Sequence, residues 1–585
     1  MSVDYHVALD PARHELRVTM RLRELAAGTL SLTTPTWVPG DYVFATYGRD
    51  LFDVRAERPD GGAVPIRRQR WSGYSCEHGA GALTVSYRAA AGSIDFSEAC
   101  GVLGDRNGVL LGTRYLRVAR HDGPCTVHYE VPAGWQIHHP AGARQVGPHS
   151  WEYTDYEQLL DTPVAFGLFD LITREVRGTA FHHVFLTRGV GYEDGVDGFI
   201  DRLCEVAASY HDMFGAFPFD SYTYVLSLDP NDSWGLEHLS GAMVGLDPAT
   251  FYDEDQYKVG IRVCAHELFH AWNVRRLRPH PLGALDLEHG CFSQGLWVAE
   301  GFTRYYEFLS CTRTGVYSAG QFFSAVANYY AHLVALPAYG RVSPADASAA
   351  SYLNHDKYPG RANSAIDYYD AGMVIAFELD ASLRGAAPPQ SLDGVFAAFY
   401  HAYAGRGGGY TVAQLCGFVD ECLPGLGERL GKQALEPAGL DLPASLRRLG
   451  FSVGEAASPY VGLILQNDTG PAIYSVLDTG PAGDCGLAAA DVITAVNGAP
   501  YSLEALRWAA AHETAVVLDV LRGNQARTCT IIPGTRTALA ALAWNGSPAQ
   551  AGLIAQWLRY PFAPSPGQAF PLDFYENFHG IETVI

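Results

Sequence analysis

Two histidines four residues apart, His266 and His270, enclose Glu267 in the run Val263-Cys264-Ala265-His266-Glu267-Leu268-Phe269-His270-Ala271-Trp272-Asn273. Residues i and i+4 of a helix lie one above the other, so both imidazoles can reach one metal ion. Glu267, beside the first of them, is placed to take a proton from water that the metal polarises. The run reads as a helix because Val263, Leu268, Phe269, Trp272 and Leu277 keep an apolar stripe near helical spacing. Pro279 stands where that helix must end.

Those five residues alone also fit a buried helix whose histidines are hydrogen-bonded core residues. A second stretch, Leu296-Trp297-Val298-Ala299-Glu300-Gly301-Phe302-Thr303-Arg304-Tyr305-Tyr306-Glu307, argues for the metal. It reads as one apolar helix with Glu300 embedded in it. An unpaired buried carboxylate is costly, so Glu300 needs a metal or a cationic partner. Two histidines and one glutamate with an open fourth position make a catalytic zinc set, which places His266, His270 and Glu300 around one Zn2+ per chain.

The two stretches, H-E-L-F-H-A-W-N-V-R-R-L-R-P and L-W-V-A-E-G-F-T-R-Y-Y-E, resemble the glycyl aminopeptidase family of the gluzincin zinc metallopeptidases, peptidase family M sixty-one. The spacer from Arg278 to Gly295 is longer than in the larger related aminopeptidase group, which favours the glycyl branch. The resemblance implies a thermolysin-like catalytic domain that removes a small first residue, glycine or alanine, from peptides with a free N-terminus. It puts Gly235 and Glu237, in the G-L-E-H run, on the substrate-binding strand, with Glu237 receiving the α-amino group. A carboxylate near the metal would pair with that ammonium and fix the substrate's first residue. The local sequence of Glu237 alone is also that of a solvated carboxylate.

In such relatives a tyrosine followed by two residues and a glycine stabilises the oxyanion. Aligned on Gly372 in Asp367-Tyr368-Tyr369-Asp370-Ala371-Gly372, this is Tyr369. A phenol can donate to that oxygen without carrying charge in the ground state. Ala371 stands where many relatives have lysine, which keeps Tyr368 as the other register. An aromatic pair packed as core would give either tyrosine a purely structural role.

These residues must be positioned by several domains, since 585 residues are too many for one core. Residues 1–175 show short period-two segments (Asp4–Leu9, Glu15–Leu22, Ala82–Arg88, Cys125–Val131) broken by Gly, Pro and Asp, the pattern of an all-β sandwich domain. The turn Trp37-Val38-Pro39-Gly40-Asp41-Tyr42 resembles one in the family's first domain. His138-His139 and His182-His183 read as surface pairs. Residues 176–445 form the zinc peptidase domain. It has helices expected over Val196–Phe214, Gln321–Leu336, Ala365–Leu383, Leu392–Tyr403 and Thr411–Cys422, a strand over Tyr222–Leu228, and the glycine-rich run Gly405–Gly409 as a loop.

Residues 446–540 resemble a PDZ domain through the run Gly480–Gly498. There Gly486-Leu487 is expected to open a short helix, and Asp491–Val496 to form a strand closed by an Asn-Gly turn. Such domains add a peptide to a sheet edge and hold its terminal carboxylate on backbone N–H groups, here those of Tyr460, Gly462 and Leu463. A PDZ-like domain with only a structural role fits the sequence as well. Residues 541–585, aromatic- and proline-rich, carry no functional reading.

The net charge of −22 argues against nucleic acid or an anionic membrane surface as partner. Eleven cysteines without a C-x-x-C pair, no signal-peptide pattern and no long apolar run give the expectation of a cytoplasmic protein with reduced thiols. The oligomeric state is left open. Two other functions share these features: an endopeptidase with the same zinc chemistry whose PDZ-like domain presents chain ends, and a peptide-binding scaffold with a vestigial metal site.

Overall fold

The computed structural model describes residues 1–92, 101–186, 194–352, 358–572 and 584–585. The chain forms two compact units, Met1–Cys291 with Ala404–Gly409, and Phe292–Tyr403 with Tyr410–Ile585.

The first unit begins β-rich. Alternation turns Val3, Tyr5, Val7 and Leu9 of the strand Ser2–Asp10 inward. That strand pairs antiparallel with Glu15–Leu25, Tyr5 opposite Met20, and parallel with Cys125–Glu130, Tyr5 opposite Val127. The three are the middle of an eight-stranded sheet, beside which stand two four-stranded sheets.

The histidine pairs are not the surface residues expected. His183 is fully buried, its Nδ1–H donating to the Ile172 carbonyl. His139 stacks on Trp151 with ring centroids 4.5 Å apart, and His138 packs edge-on against His182. His138 ends the strand Gln136–His138 and His139 follows it, while the strand Thr179–Leu186 is buried on both faces from His183 onward, a covering that period two cannot reveal. Burial pushes His138, His139 and His183 each down to about 4. Their folded values lie below the unfolded one, so their contribution is complete above about pH 6.5 and is lost as pH falls towards 4, by on the order of 3 kcal/mol for His183. Melting of this unit should therefore shift down steeply between pH 6.5 and 4.5, and His183→Gln should flatten that slope. A melting temperature independent of pH over this range would exclude neutral buried histidines.

The rest of the unit is a five-stranded sheet in the order Asp170–Val176, Thr179–Leu186, Ser221–Leu228, Gly241–Leu246, Ser233–His238. Its three middle strands run parallel, and the edge strand Ser233–His238 is antiparallel to its neighbour, with Gly235 opposite Val244 and Glu237 opposite Ala242. The helix Val196–Phe214 is as expected. The motif helix runs from Glu254 to Phe269, its first turn capped by the Asp253 carboxylate accepting from the N–H groups of Asp255 and Gln256. It ends ten residues before Pro279. His270 is its C-cap, and Val274 and Arg275 both donate their N–H to the His270 carbonyl in a tight turn. The apolar stripe misleads here because Trp272 and Leu277 stay buried after the helix has stopped.

The second unit is helical and then β-rich. The stretch expected as one helix is two, Leu296–Ala299 and Gly301–Arg313, jointed at Glu300. Further helices include Ala319–Ala335, Tyr368–Arg384, Leu392–Tyr403 and Val412–Cys422, within three residues of expectation at every end. Gly301 and Gly372 let two helices cross in close backbone contact. A Cβ on Gly372 would lie 1.9 Å from the Trp297 carbonyl oxygen, and one on Gly301 2.3 Å from the Gly372 Cα.

Beyond residue 450, Phe451–Tyr460 pairs with Gly534–Trp544, and a four-stranded sheet holds Val492–Val496 with Ala499–Pro500 across the expected Asn497-Gly498 turn. Gly486-Leu487 opens no helix. A 3-10 turn at Gly483–Cys485 precedes it, Gly486 takes φ +75°, and the helix of this region is Leu503–His512. The stretch without a sequence reading supplies core. Helix Pro548–Leu558 buries Trp557, whose Nε1–H donates to the Tyr305 hydroxyl at 2.9 Å and whose ring packs on Phe377. Among the described residues no helix is long and apolar enough to cross a membrane.

Candidate active site

The first unit builds its site from the motif helix and the edge strand. Three buried tyrosines fix the helix through its backbone: Tyr210, Tyr224 and Tyr222 donate their hydroxyls to the carbonyls of Ala265, Cys264 and Glu267, at 3.2, 3.0 and 3.1 Å. Burial raises the Tyr222 and Tyr224 hydroxyls well above the usual phenol range, so both stay donors. His266 and His270 are buried, with ring centroids 4.5 Å apart. The His270 Nδ1 lies 2.6 Å from the Asn273 carbonyl, which can only accept. The proton is therefore on Nδ1, which makes Nε2 the nitrogen that can ligate.

Glu237, Glu267 and His270 are buried together, with ligand atoms all within 4.8 Å of one another. The edge strand thus brings Glu237 to the motif. Gly235 is there because of Glu267: a Cβ at 235 would lie 2.2 Å from its Oε1. Gly40, at φ +93° in the Trp37–Tyr42 turn, allows an equally close approach, since a Cβ there would lie 2.6 Å from the Glu237 Oε2. Gly235→Ala should leave the fold intact, because the colliding atoms end a side chain. Displacing the Glu267 carboxylate by about 1 Å should cost on the order of 100-fold in turnover. Circular dichroism and initial rates measured together check both halves.

Residues without any sequence signal hold the strand. Asp161 accepts from Arg275 Nη2 at 2.6 Å, His238 Nδ1 at 3.3 Å and the Leu239 N–H at 2.7 Å. Burial pushes the Asp161 carboxyl up, but Arg275 and the His238 and Leu239 bonds outweigh it and hold the group below its ordinary value. One ion pair thereby ties the turn after His270 to the end of the Glu237 strand. The sequence does not single out Arg275 within the basic run Arg275-Arg276-Leu277-Arg278, and Asp161 gives no signal either.

In the second unit Glu300 is buried at the joint between its two helices. Asp367 caps the helix Tyr368–Arg384, accepting from the N–H groups of Tyr369 and Asp370. Tyr368 and Tyr369 are both buried and stack at 4.9 Å. The Arg304 guanidinium lies over the Tyr369 ring, 4.9 Å from its centroid, and is ion-paired with Asp370. The Tyr369 ring is therefore fixed by a cation on one face and an aromatic neighbour.

Residues 260–375 match the model of the M61 glycyl aminopeptidase. Residues 4–168 match that of the peptidase M61 N-terminal domain. The first match contains His266, Glu267, His270, Glu300 and Tyr369, and neither contains Glu237. Among solved structures, an aminopeptidase N family protein from Idiomarina loihiensis has the same fold, with a TM-score of 0.85 and 19% identity over 95% of this chain and 100% of that one. A variant of an M1 zinc metallopeptidase from Deinococcus radiodurans, bound to a Tyr-Ser-Ala substrate, is more distant: TM-score 0.46, 17% identity, 76% of this chain and 94% of that one. A search of curated proteins finds no match. The family matches support a peptidase of the aminopeptidase type and carry no information on which residue it prefers.

Proposed function

We propose that the protein is a zinc aminopeptidase that removes a small first residue, glycine or alanine, from peptides. The observation that carries the reading is the buried cluster of Glu237, Glu267 and His270 beside Gly235, within a chain whose motif region matches a glycyl aminopeptidase. His266, His270 and Glu300 would hold the ion. The donor set suits zinc, and the Asn273 carbonyl leaves His270 in the tautomer that zinc requires. Bound there, the ion would supply Lewis acidity towards water and the scissile carbonyl.

The chain's own residues do the rest. Glu267 takes the proton of the attacking water and returns it to the departing amine. Tyr369, rather than Tyr368, donates to the developing oxyanion, a role its fixed ring supports. Glu237 accepts the substrate's ammonium, which sets the distance from the free N-terminus to the bond cut and makes the enzyme an exopeptidase. Residues 446–540 are a PDZ-like domain that binds a peptide end.

Hydrolysis of glycyl, alanyl and leucyl p-nitroanilides beside N-acetyl-glycyl p-nitroanilide, with and without a chelator, tests this. Chelator-sensitive cleavage of only the free-amine glycyl and alanyl compounds is expected. Cleavage of the blocked compound would remove the amine anchor and favour an endopeptidase. Glu237→Ala should raise KM for the glycyl compound at least 10-fold, as a buried charge-assisted pair is lost. An unchanged KM places the anchor elsewhere.

A further inference from the structure

The loop after Tyr460 turns three consecutive N–H groups, those of Val461, Gly462 and Leu463, onto one oxygen of Ile585, at 3.1, 2.7 and 3.1 Å. Ile585 returns its own N–H to the Leu463 carbonyl at 2.9 Å, and Val584 bridges Ile464 antiparallel. Residues 584–585 thus lie along Leu463–Leu465, joined to it by a single bridge and these backbone bonds. Gly462 makes the loop possible, with φ +83° and a Cβ that would lie 2.9 Å from the Gly480 Cα. The Ile585 side chain is buried in the apolar cluster that contains Val461, Leu463, Leu503 and Leu506. Val584 is buried in a second cluster with Leu336, Ala362 and Leu477, and its carbonyl accepts from Arg536 at 3.4 Å.

Three convergent N–H groups exceed what a peptide carbonyl, with two lone pairs, can use, and form a concavity suited to an anionic oxygen. The apolar seat under Ile585 selects an aliphatic side chain. We propose that this loop recognises the carboxylate of a chain ending in an aliphatic residue, and that the segment Val584-Ile585 of the same chain occupies the loop, so an outside peptide binds only by displacing it. The inference rests on the peptide-binding reading of residues 446–540. A tethered ligand competes at an effective concentration on the order of millimolar, enough to mask a micromolar outside ligand.

The test uses a fluorescent Glu-Thr-Val-Ile peptide, the sequence of residues 582–585. It is titrated into the full chain, a chain lacking those four residues, and a chain carrying Gly-Ser-Gly after Ile585. Melting curves check that all three fold, and the extended chain serves if truncation harms the core. The truncated and extended chains should bind at least ten-fold more tightly than the full chain, and the peptide amide should bind at least ten-fold more weakly than the acid. Equal binding by full and altered chains overturns self-occupancy alone. Absence of binding by both altered chains overturns the peptide-binding reading itself. A dimer of the full chain that truncation dissolves would put Ile585 in a second copy and overturn the intrachain form.

Discussion

Glu267→Gln is expected to lower kcat on a glycyl p-nitroanilide by about 10³-fold, with zinc content unchanged at one per chain. The amide keeps the volume beside Gly235, where a Cβ would already be 2.2 Å from the side chain, so the fold has no reason to respond. What is lost is the proton acceptor: an amide cannot take the proton of the attacking water or return it to the amine. The effect should fall on kcat and kcat/KM together, because the transfer occurs in the transition state. Retained zinc separates this from damage to the ligands. A variant within ten-fold of the parent rate would remove Glu267 as the base.

Gly372→Ala should be the most damaging conservative change in the second unit. Its Cβ would sit 1.9 Å from the Trp297 carbonyl oxygen, and both partners are helix backbone, which cannot swing aside as a side chain can. Parting the helices also unseats Gly301. Overpacking of this kind costs on the order of 3 kcal/mol, which lowers the melting temperature by about 5 °C in a unit of this size. Gly417→Ala is the control. It lies in the helix Val412–Cys422 with nothing near its Cβ, and should gain up to about 1 kcal/mol from helix propensity. A Gly372→Ala chain as stable as the parent would mean that the helices can separate freely.

Where the sequence was legible, one periodicity governed one element. The alternation of Ser2–Asp10 and the 3.6-residue pattern of Val196–Phe214 each report a single buried face. The motif itself was legible because its chemistry is local: two imidazoles and a carboxylate within five residues. Legibility failed where burial came from partners distant in sequence. The apolar stripe ran through the end of the motif helix because Trp272 is packed whether or not it is helical. Asp161 and Arg275, 114 residues apart, make a pair that no local pattern announces. Trp557 reads as tail residue until Tyr305 is seen to accept its N–H. Gly372 served only to set the register of Tyr369, and its reason for being glycine is a neighbouring backbone that sequence does not display.

The run Ala404–Gly409 reads as a linker, yet it belongs to the first unit. The Gly405 N–H bonds the Arg276 carbonyl, the Gly408 carbonyl accepts from His280, and Gly409 lies against Arg278 and Pro279. That unit is therefore discontinuous along the chain, and on the ribosome it must wait. Residues 1–291 emerge on the order of 10 s before their last segment, at ordinary rates of synthesis. Throughout that interval the turn following His270 lacks its cover. A nascent chain arrested before residue 404 should be open to proteolysis near Arg276–Arg278, and one arrested well beyond 409 should be protected there.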